Sequence, residues 1–320
     1  MTFDDVLEIK NGRNQRTVEN SNGKYPIYGS GGIMGYADDY ICEAQTVIVG
    51  RKGSINNPLF VDEPFWNVDT AFGLCARKEV LLPRYLYFFC RKFDFERLNK
   101  AVTIPSLTKS DLLKIEIELP DLVEQQNVVD KLLKIERIIE LRKQELQKLD
   151  EFIKARFVEM FGDPISNDKK FPTILGKEYF KLSNGKAVSK ENRLVYGIPA
   201  YGGNGISWFT NSVLCETDTL VVGRVGFQSG NVHLANGPIW VTDNAMYISD
   251  FYVQDYNLVF LVELMDCIDF TRYQDAGDLK KITQKPFMEM AFIAPPIETQ
   301  KQFAAFVEQI NKSKVTNQAS

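Results

Sequence analysis

From about Leu119 to Phe161 the chain reads LPDLVEQQNVVDKLLKIERIIELRKQELQKLDEFIKARFVEMF, and past Pro120 no Gly or Pro interrupts it. Apolar residues recur at steps of three and four: Ile135, Ile138, Ile139, Leu146, Leu149, Ile153, Phe157 and Met160. Lys, Arg and Glu fill the other faces. This predicts one amphipathic helix with a stripe narrow enough for a coiled-coil seam. Proline fits a first turn, and Gly162 followed by Pro164 marks a stop. At 1.5 Å per residue such a helix is about 60 Å long, more than a small domain needs.

Before this helix the pattern changes to short strands and polar turns. Val6–Ile9 leads into a turn carrying Lys10, Arg13 and Arg16, and Tyr25–Tyr28 runs into the glycine cluster Gly29-Ser-Gly-Gly. Thr46-Val-Ile-Val reads as a buried strand delivered into a G-R-x-G turn. Phe65–Leu74 alternates like one half-buried strand, and Pro83–Cys90 starts an aromatic helix. Ile104–Leu112 reads as a loop with a helix cap at Ser110, and Ile115–Leu119 as a last strand. The aromatic positions Tyr85, Tyr87, Phe88, Phe89, Tyr256 and Phe260 suit a core better than a stacking surface.

After Pro164 the same order of blocks returns. Leu182-Ser-Asn-Gly-Lys answers Ile9-Lys-Asn-Gly-Arg, and Ile198-Pro-Ala-Tyr-Gly-Gly-Asn-Gly answers Tyr25-Pro-Ile-Tyr-Gly-Ser-Gly-Gly. Leu214–Gly226 answers Ile41–Gly53, Trp240-Val-Thr-Asp-Asn-Ala answers Trp66-Asn-Val-Asp-Thr-Ala, and Pro295–Gln300 answers Pro120–Gln125. The offset is 173 at Arg51 and Arg224 and 175 at Pro120 and Pro295. Five blocks in one order at one offset imply a tandem duplication of a domain followed by a helix. The boundaries that follow are a first domain over 1–118, a central helix over 119–162, a second domain over 163–294 and a shorter helix with tail over 295–320. The second helix, about Ile297 to Lys314 with a polar tail after it, is expected to be less than half as long as the first. Its natural partner is the first helix, in an antiparallel pair.

Composition narrows the chemistry. The 320 residues are 44% hydrophobic and 25% charged, enough for two ordinary cores. No apolar run approaches a membrane span and the start of the chain lacks a signal-peptide pattern, so a cytoplasmic protein is expected. Cys42, Cys75, Cys90, Cys215 and Cys267 form no CxxC pair and read as reduced thiols. A single histidine, His233, removes most histidine-based catalysis and metal binding. No P-loop, glycine-rich AdoMet loop, helicase signature or Asn/Asp-Pro-Pro-Tyr/Phe motif occurs, and Glu8-Ile-Lys10 lacks a metal site upstream. A net charge of −4 argues against a globally basic nucleic-acid binder but leaves local basic patches open.

The order of blocks, with IYGSGG, VGRxG and W-x-x-D-x-A followed by an ELP or APP element and an E-Q or T-Q helix, resembles the specificity (S, HsdS) subunits of type I restriction–modification systems. The resemblance covers nearly the whole chain, twice. It implies an α+β chain of two mixed α/β target recognition domains, joined by long helices that form an antiparallel coiled coil. It implies a non-catalytic, bacterial or archaeal subunit that reads a bipartite site on double-stranded DNA and directs its partners. Modification (methyltransferase) subunits would bind the helices and restriction or motor subunits would join through them. AdoMet, ATP and Mg would belong to those partners, leaving this chain without a cofactor or metal. The short final helix departs from the family pattern; it implies either a truncated chain or self-association, a second copy completing the helix pair. The competing readings are a self-contained nuclease or methyltransferase, and a structural or regulatory coiled-coil DNA-binding protein.

Against that background the candidate DNA-binding residues are Arg13, Gln15, Arg16, Arg51, Lys52, Asn56 and Lys109 in the first domain. In the second they are Lys186, Lys190, Arg224, Lys280 and Lys281. Ile135, Ile138, Leu146, Leu149, Ile153 and Phe157 form the candidate helix seam. Positions that differ between copies, such as Lys52, Ser54, Asn56 and Asn57 against Val225, Phe227, Ser229 and Asn231, are where different half-sites would be read. Lys109 and the run Lys280, Lys281 and Lys285 read as backbone contacts. Arg51 and Arg224 recur in both copies, which fits either a phosphate contact or an ion pair to Asp69 or Asp243 holding the turn. The glycine clusters fit tight strand reversals or loops presenting backbone donors.

Overall fold

The computed structural model describes the backbone of residues 1–101 and 103–319, with side chains to residue 315. The chain forms two compact units, Met1–Glu140 and Leu141–Ser320. The first contains α1 (Phe3–Val6), β1 (Leu7–Asn11), β2 (Tyr25–Gly29), β3 (Gly32–Ala37), β4 (Thr46–Gly50), β5 (Leu59–Val61), β6 (Trp66–Asn67), β7 (Ala71–Ala76), α2 (Pro83–Lys92) and α3 (Lys109–Leu112). It also holds the start of the long helix α4 (Leu122–Phe161), whose 40 residues are shared between the units.

Two small sheets build this unit. An antiparallel sheet runs in the order β1-β7-β4-β5, and a second runs β3-β2-β6 with β2 and β6 parallel. All five residues of β4 are buried, which explains its unbroken apolar run. Its core joins Phe3, Ile9, Val47, Val49, Phe72 and Leu74 to Leu86 of α2 and Leu112 of α3. The predicted strand over Phe65–Leu74 is two strands in different sheets, separated by a turn in which the Ala71 N–H donates to Val68 O at 3.0 Å. The cap of α3 is Thr108, whose hydroxyl accepts from the Asp111 N–H at 3.2 Å, rather than Ser110. Residues 115–119 form no strand; the pairing there shrinks to one bridge between Thr2 and Glu116.

The second unit repeats this plan with β8 (Thr173–Leu175), α5 (Gly176–Tyr179), β9 (Phe180–Asn184), β10 (Ile198–Gly202), β11 (Gly205–Thr210), β12 (Thr219–Gly223), β13 (Val232–Ala235), β14 (Trp240–Val241), β15 (Ala245–Phe251), α6 (Leu258–Ile268), α7 (Lys285–Glu289), β16 (Ala291–Ile293) and α8 (Ile297–Ala319). The order β9-β15-β12-β13 matches β1-β7-β4-β5, and β11-β10-β14 matches β3-β2-β6, down to the one parallel pair. The duplication read from the sequence is therefore a duplication of topology. β8 and β16 form an additional two-stranded pair. The core of this unit is rich in phenylalanine, with Phe157 and Phe161 of α4 meeting Phe260 of α6 and Phe303 of α8.

The helices meet where phenylalanines interlock. Phe157 lies against Phe303 and Phe152 against Phe306, and Lys314 Nζ reaches Asp150 Oδ1 at 2.6 Å. Residue numbers fall on α4 as they rise on α8, so the pair is antiparallel. The expected stop of α8 near Lys314 does not occur; the helix continues to Ala319, giving 23 residues against 40. No Gly or Pro stands in the polar tail to end it. Among the seam candidates, Ile153 and Phe157 are buried and Leu146 and Leu149 half-buried, whereas Ile135 and Ile138 are 51% and 57% exposed.

One polar residue per unit fixes the long helix to its domain. Gln125 is fully buried; its Oε1 accepts from the Leu82 N–H at 2.8 Å, and its Nε2 donates to Val80 O and Pro120 O at 2.8 and 2.9 Å. Gln300 repeats the arrangement, accepting from the Asn257 N–H at 3.0 Å and donating to Pro295 O at 2.9 Å. Both glutamines bind the amide at the start of the domain's aromatic helix. The Asp121 carboxylate caps α4 through the Glu124 N–H at 2.8 Å, so the helix opens after Pro120 and Asp121 rather than at the proline.

Two measurements follow. Replacing Gln125 or Gln300 by Ala strands buried backbone groups and is expected to cost about 2–3 kcal/mol in urea unfolding; an unchanged midpoint would show that the staple contributes nothing. The second concerns Glu263 on α6, whose carboxyl is pushed up to about 7 by burial first and by the neighbouring Asp266 second, with Lys314 of α8 and Lys154 of α4 pulling it down and Asp150 of α4 pushing it up. Between its ordinary value of 4.5 and about 7 the folded chain holds a proton that the unfolded chain releases. Stability therefore falls as pH rises across that window. Glu263→Gln should match the parent at pH 4 and exceed it at pH 8 by about 1–2 kcal/mol; equal midpoints at both pH values would remove this penalty from the fold.

Candidate nucleic-acid interface

In the first unit four loops lie side by side at one end of the sheets. The Arg13 N–H donates to Asn67 O at 2.8 Å, and Trp66 Nε1 donates to Arg13 O at 3.0 Å. The Arg51 N–H donates to Thr70 O at 2.8 Å, the Leu107 N–H to Arg51 O at 2.9 Å, and the Gly53 N–H to Pro105 O at 3.0 Å. The loops after β1, β4 and β6 and the loop before α3 are thus tied to one another by their backbones.

The second unit makes the same ties. The Lys186 N–H donates to Val241 O at 2.9 Å and Trp240 Nε1 to Lys186 O at 3.0 Å. The Arg224 N–H donates to Asn244 O at 2.8 Å, the Ile282 N–H to Arg224 O at 3.0 Å, and the Gly226 N–H to Lys280 O at 2.8 Å. The tryptophans of the W-x-x-D-x-A blocks therefore have a definite task. Each holds the carbonyl of a cationic residue, Arg13 or Lys186, whose side chain stays exposed.

The shared glycines explain themselves in the same way. A Cβ on Gly12 would stand 1.8 Å from Val68 O, and one on Gly185 would stand 2.0 Å from Thr242 O, so only glycine lets the first loop pass that turn. Gly53 and Gly226, the second glycines of the G-R-x-G turns, sit at φ +78° and +95°. The recurring motifs are thus scaffold. The side chains they carry are what differs.

The candidate residues divide accordingly. Arg13, Arg16, Arg51, Lys52, Lys186, Lys190 and Lys281 are exposed, and Gln15, Arg224 and Lys280 are half-buried. The backbone ties group Arg13, Arg51 and Lys52 in the first unit and Lys186, Arg224, Lys280 and Lys281 in the second. The carbonyl of Gln15 accepts from Val18 and Glu19 at 2.9 Å each and so shapes its own turn. Lys190 begins a separate 3-10 turn, Lys190–Asn192. Two candidates point to local duties. Asn56 donates to Asp94 at 3.3 Å and accepts from the Phe95 N–H at 2.9 Å, and Lys109 Nζ donates to Ile9 O at 2.7 Å.

Among the described residues neither Arg51 nor Arg224 forms an ion pair, so Asp69 and Asp243 do not hold these turns through salt bridges. The Arg51 guanidinium instead lies 5.7 Å from the centre of the Phe72 ring. Charge is also redistributed between the copies. Lys52 pairs across to Ser106, whereas at the matching bridge Val225 faces Lys281. Beyond the shared arginine, the first unit carries a further cation, Lys52, on the G-R-x-G turn, and the second carries two, Lys280 and Lys281, on the neighbouring loop.

Sequence reasoning passed over a recess in the second unit that Arg193, Asn204, Trp208, Gln228, Thr242 and Asn244 help to line. The Arg193 guanidinium sits 5.1 Å from the centre of the Trp208 ring. Arg193, Trp208 and Gln228 lie outside the matched motifs, and Asn204, Thr242 and Asn244 occupy variable positions within them, so only the non-identity of the copies hinted at them. His233 lies in β13, where burial holds its imidazole below its usual range, opposed by the ring's interaction as a donor with the Gly203 carbonyl. Among the described residues no group of three or more His, Cys, Asp or Glu could hold a metal ion, and no helix is long and apolar enough to cross a membrane.

Comparisons with known proteins bear on this arrangement. Residues 1–151 match the model of the type I restriction modification DNA specificity domain. A type I specificity subunit from Mycoplasma pneumoniae is 26% identical over 168 residues, 47% of this chain and 55% of that protein. The type I restriction enzyme EcoprrI specificity subunit from Escherichia coli is 23% identical over 139 residues, 42% of this chain and 34% of that protein. The chain thus matches about half of the first relative's length and a third of the second's. The solved S subunit of the type I restriction–modification system from M. genitalium superposes on 100% of this chain and 90% of its own, with a TM-score of 0.64 at 19% identity. A chain from a study of complex assembly and conformational transition of the type I R-M system gives a TM-score of 0.56 at 16% identity over 99% of this chain and 90% of that one. At these identities the likeness is one of fold. The first 151 residues are thus similar to the type I restriction modification DNA specificity domain, and the chain as a whole shares the fold of the solved M. genitalium S subunit.

Proposed function

We propose that this chain is the DNA-recognition subunit of a type I restriction–modification complex. One observation carries the reading: two copies of one scaffold hold matched loop backbones at one end of their sheets, and the exposed side chains on those loops differ. A pair of readers for two different half-sites needs that combination. Arg13, Arg16, Arg51 and Lys52 in one unit, and Lys186, Arg224, Lys280 and Lys281 in the other, supply phosphate contacts and bidentate contacts to base edges. Each good bidentate pair discriminates by about 1–3 kcal/mol. Asn56 and Lys109 support their loops.

On this reading the chain performs no chemistry of its own. Modification subunits that bind α4 and α8 supply AdoMet-dependent adenine methylation, and a motor subunit supplies ATP- and Mg-dependent cleavage, in the cytoplasm of a bacterial or archaeal cell. With a net charge of −4 the chain alone neutralises few phosphates, so its own binding is weak and strongly salt-dependent.

The direct test is to co-express the chain with a modification subunit and map methylated adenines across host DNA. A split motif with two different halves is expected. Two identical halves would mean that two chains each contribute one unit, and no methylation despite a stable complex would remove the assignment. Adding about two turns to α4, with a matching addition to α8, should lengthen the unread spacer and leave both half-sites unchanged; a constant spacer would show that the helices do not set it. Changing Lys280 and Lys281 together to Ala should flatten the slope of log affinity against log salt by about 2 without altering the preferred sequence. A changed sequence preference would make these lysines base readers instead.

A further inference from the structure

The recess in the second unit has a volume of about 600 Å³ and opens between the β10–β11 hairpin, the G-R-x-G turn and the turn after β14. Phe227 stands at its edge, 86% exposed. The residue is nonetheless held. Gln274 Nε2 donates to Phe227 O at 3.2 Å and to Ser229 O at 2.6 Å, and the Ser229 N–H donates to Gly226 O at 3.0 Å. Ser229 is fully buried, and Gly230 packs on the backbone of Phe270 and Thr271. A turn this well tied presents its phenylalanine outward by construction.

A second group in the recess is also uncompensated. Thr242 is 6% exposed, and its hydroxyl has no hydrogen-bond partner among the described residues. A buried hydroxyl without a partner costs free energy, as does a large apolar ring left in water. Asn204, Gln228 and Asn244 add amides around the same space. One kind of occupant answers both groups: a flat body with apolar faces and hydrogen-bonding groups along its edge. A nucleobase has that form. Contact of the Phe227 ring with a thymine methyl in an intact stack would leave the Thr242 hydroxyl unanswered. In the first unit Val68 stands at the place of Thr242 and Ser54 lies in the matching turn, so this device is not part of the shared scaffold.

We propose that the recess takes one base of the second half-site out of the helical stack, with Phe227 against its face and the Thr242 hydroxyl on its edge. The proposal rests on the reading of the chain as a DNA-recognition subunit. Stacking on an aromatic ring and hydrogen bonds to the base edge together offset the loss of base pairing, a loss that is smallest where the base is mismatched or missing.

The test uses the full chain and duplexes carrying its mapped target, with 2-aminopurine placed in turn at each position of the second half-site. One position should brighten several-fold on binding, and removing the base opposite it in the complementary strand, so that no pair has to be broken, should tighten binding about tenfold. Phe227→Ala should abolish the brightening and weaken binding by about tenfold or more, while Phe227→Trp keeps both. Thr242→Val should lose discrimination at that position alone, and Thr242→Ser should retain it. If no position brightens, or if removing the opposite base never tightens binding, the base stays in the stack and the proposal fails while recognition of both half-sites stands. If Phe227→Ala spares DNA binding and instead loses a modification subunit, the ring is a protein contact and the proposal fails. Absence of any sequence preference in the target would instead overturn the underlying functional reading.

Discussion

A buried glutamine amide determines how each domain meets its helix. Gln125 and Gln300 each take the free amide at the start of the domain's aromatic helix and the carbonyl of a proline just before the long helix. Both partners are backbone groups at least partly screened from water, so sliding or rotating the helix would break several hydrogen bonds at once. Apolar packing alone would tolerate such a shift, because one leucine or phenylalanine contact replaces another at similar cost. The amide supplies the directional term that packing lacks. Within each unit the loop end of the sheets consequently holds one orientation against its helix.

Above that anchor the two copies separate scaffold from reader. Trp66 and Trp240 each clamp the carbonyl of a cationic residue, and Gly12 and Gly185 each pass within a carbonyl's width of the neighbouring turn. These features recur because backbone geometry admits no substitute. Nothing in that geometry constrains the outward side chains, and there the copies diverge. The cation beside the G-R-x-G turn moves from Lys52 on the turn to Lys280 and Lys281 on the adjacent loop, and a polar site with an exposed ring arises around Thr242 and Phe227. Duplication followed by change at unconstrained positions preserves folding while altering the surface that these loops present.

The same separation explains what the sequence disclosed. The long helix was legible because its period runs for forty residues without a breaker, and the duplication because scaffold motifs must repeat. The break between β6 and β7 was not, because Phe65–Leu74 reads as one alternating pattern while its two halves pair in different sheets. The polar tail reads as a stop, yet polar residues without Gly or Pro continue a helix, so α8 runs past Lys314 to Ala319. At the candidate interface, sequence located the loops but not the commitments of their side chains. Asn56 and Lys109 look like free binding groups in a list of residues, yet each bonds to a partner distant in sequence. The recess was invisible because its lining comes from several separate segments.

Charge sets the remaining constraint. On the proposed reading, a chain with net charge −4 holds DNA through attraction local to the loop ends and not by its overall field. Local attraction has an advantage for a reader. Non-specific phosphate binding grows with every cation and hides the smaller differences between bases, whereas a few contacts leave those differences decisive. On that reading Arg51 and Arg224, which form no ion pair among the described residues, anchor each unit in register without adding much bulk affinity. Discrimination then falls to side chains that differ between the copies. The scaffold that fixes these loops so firmly allows a small number of contacts to suffice, since little ordering of the protein remains to oppose binding.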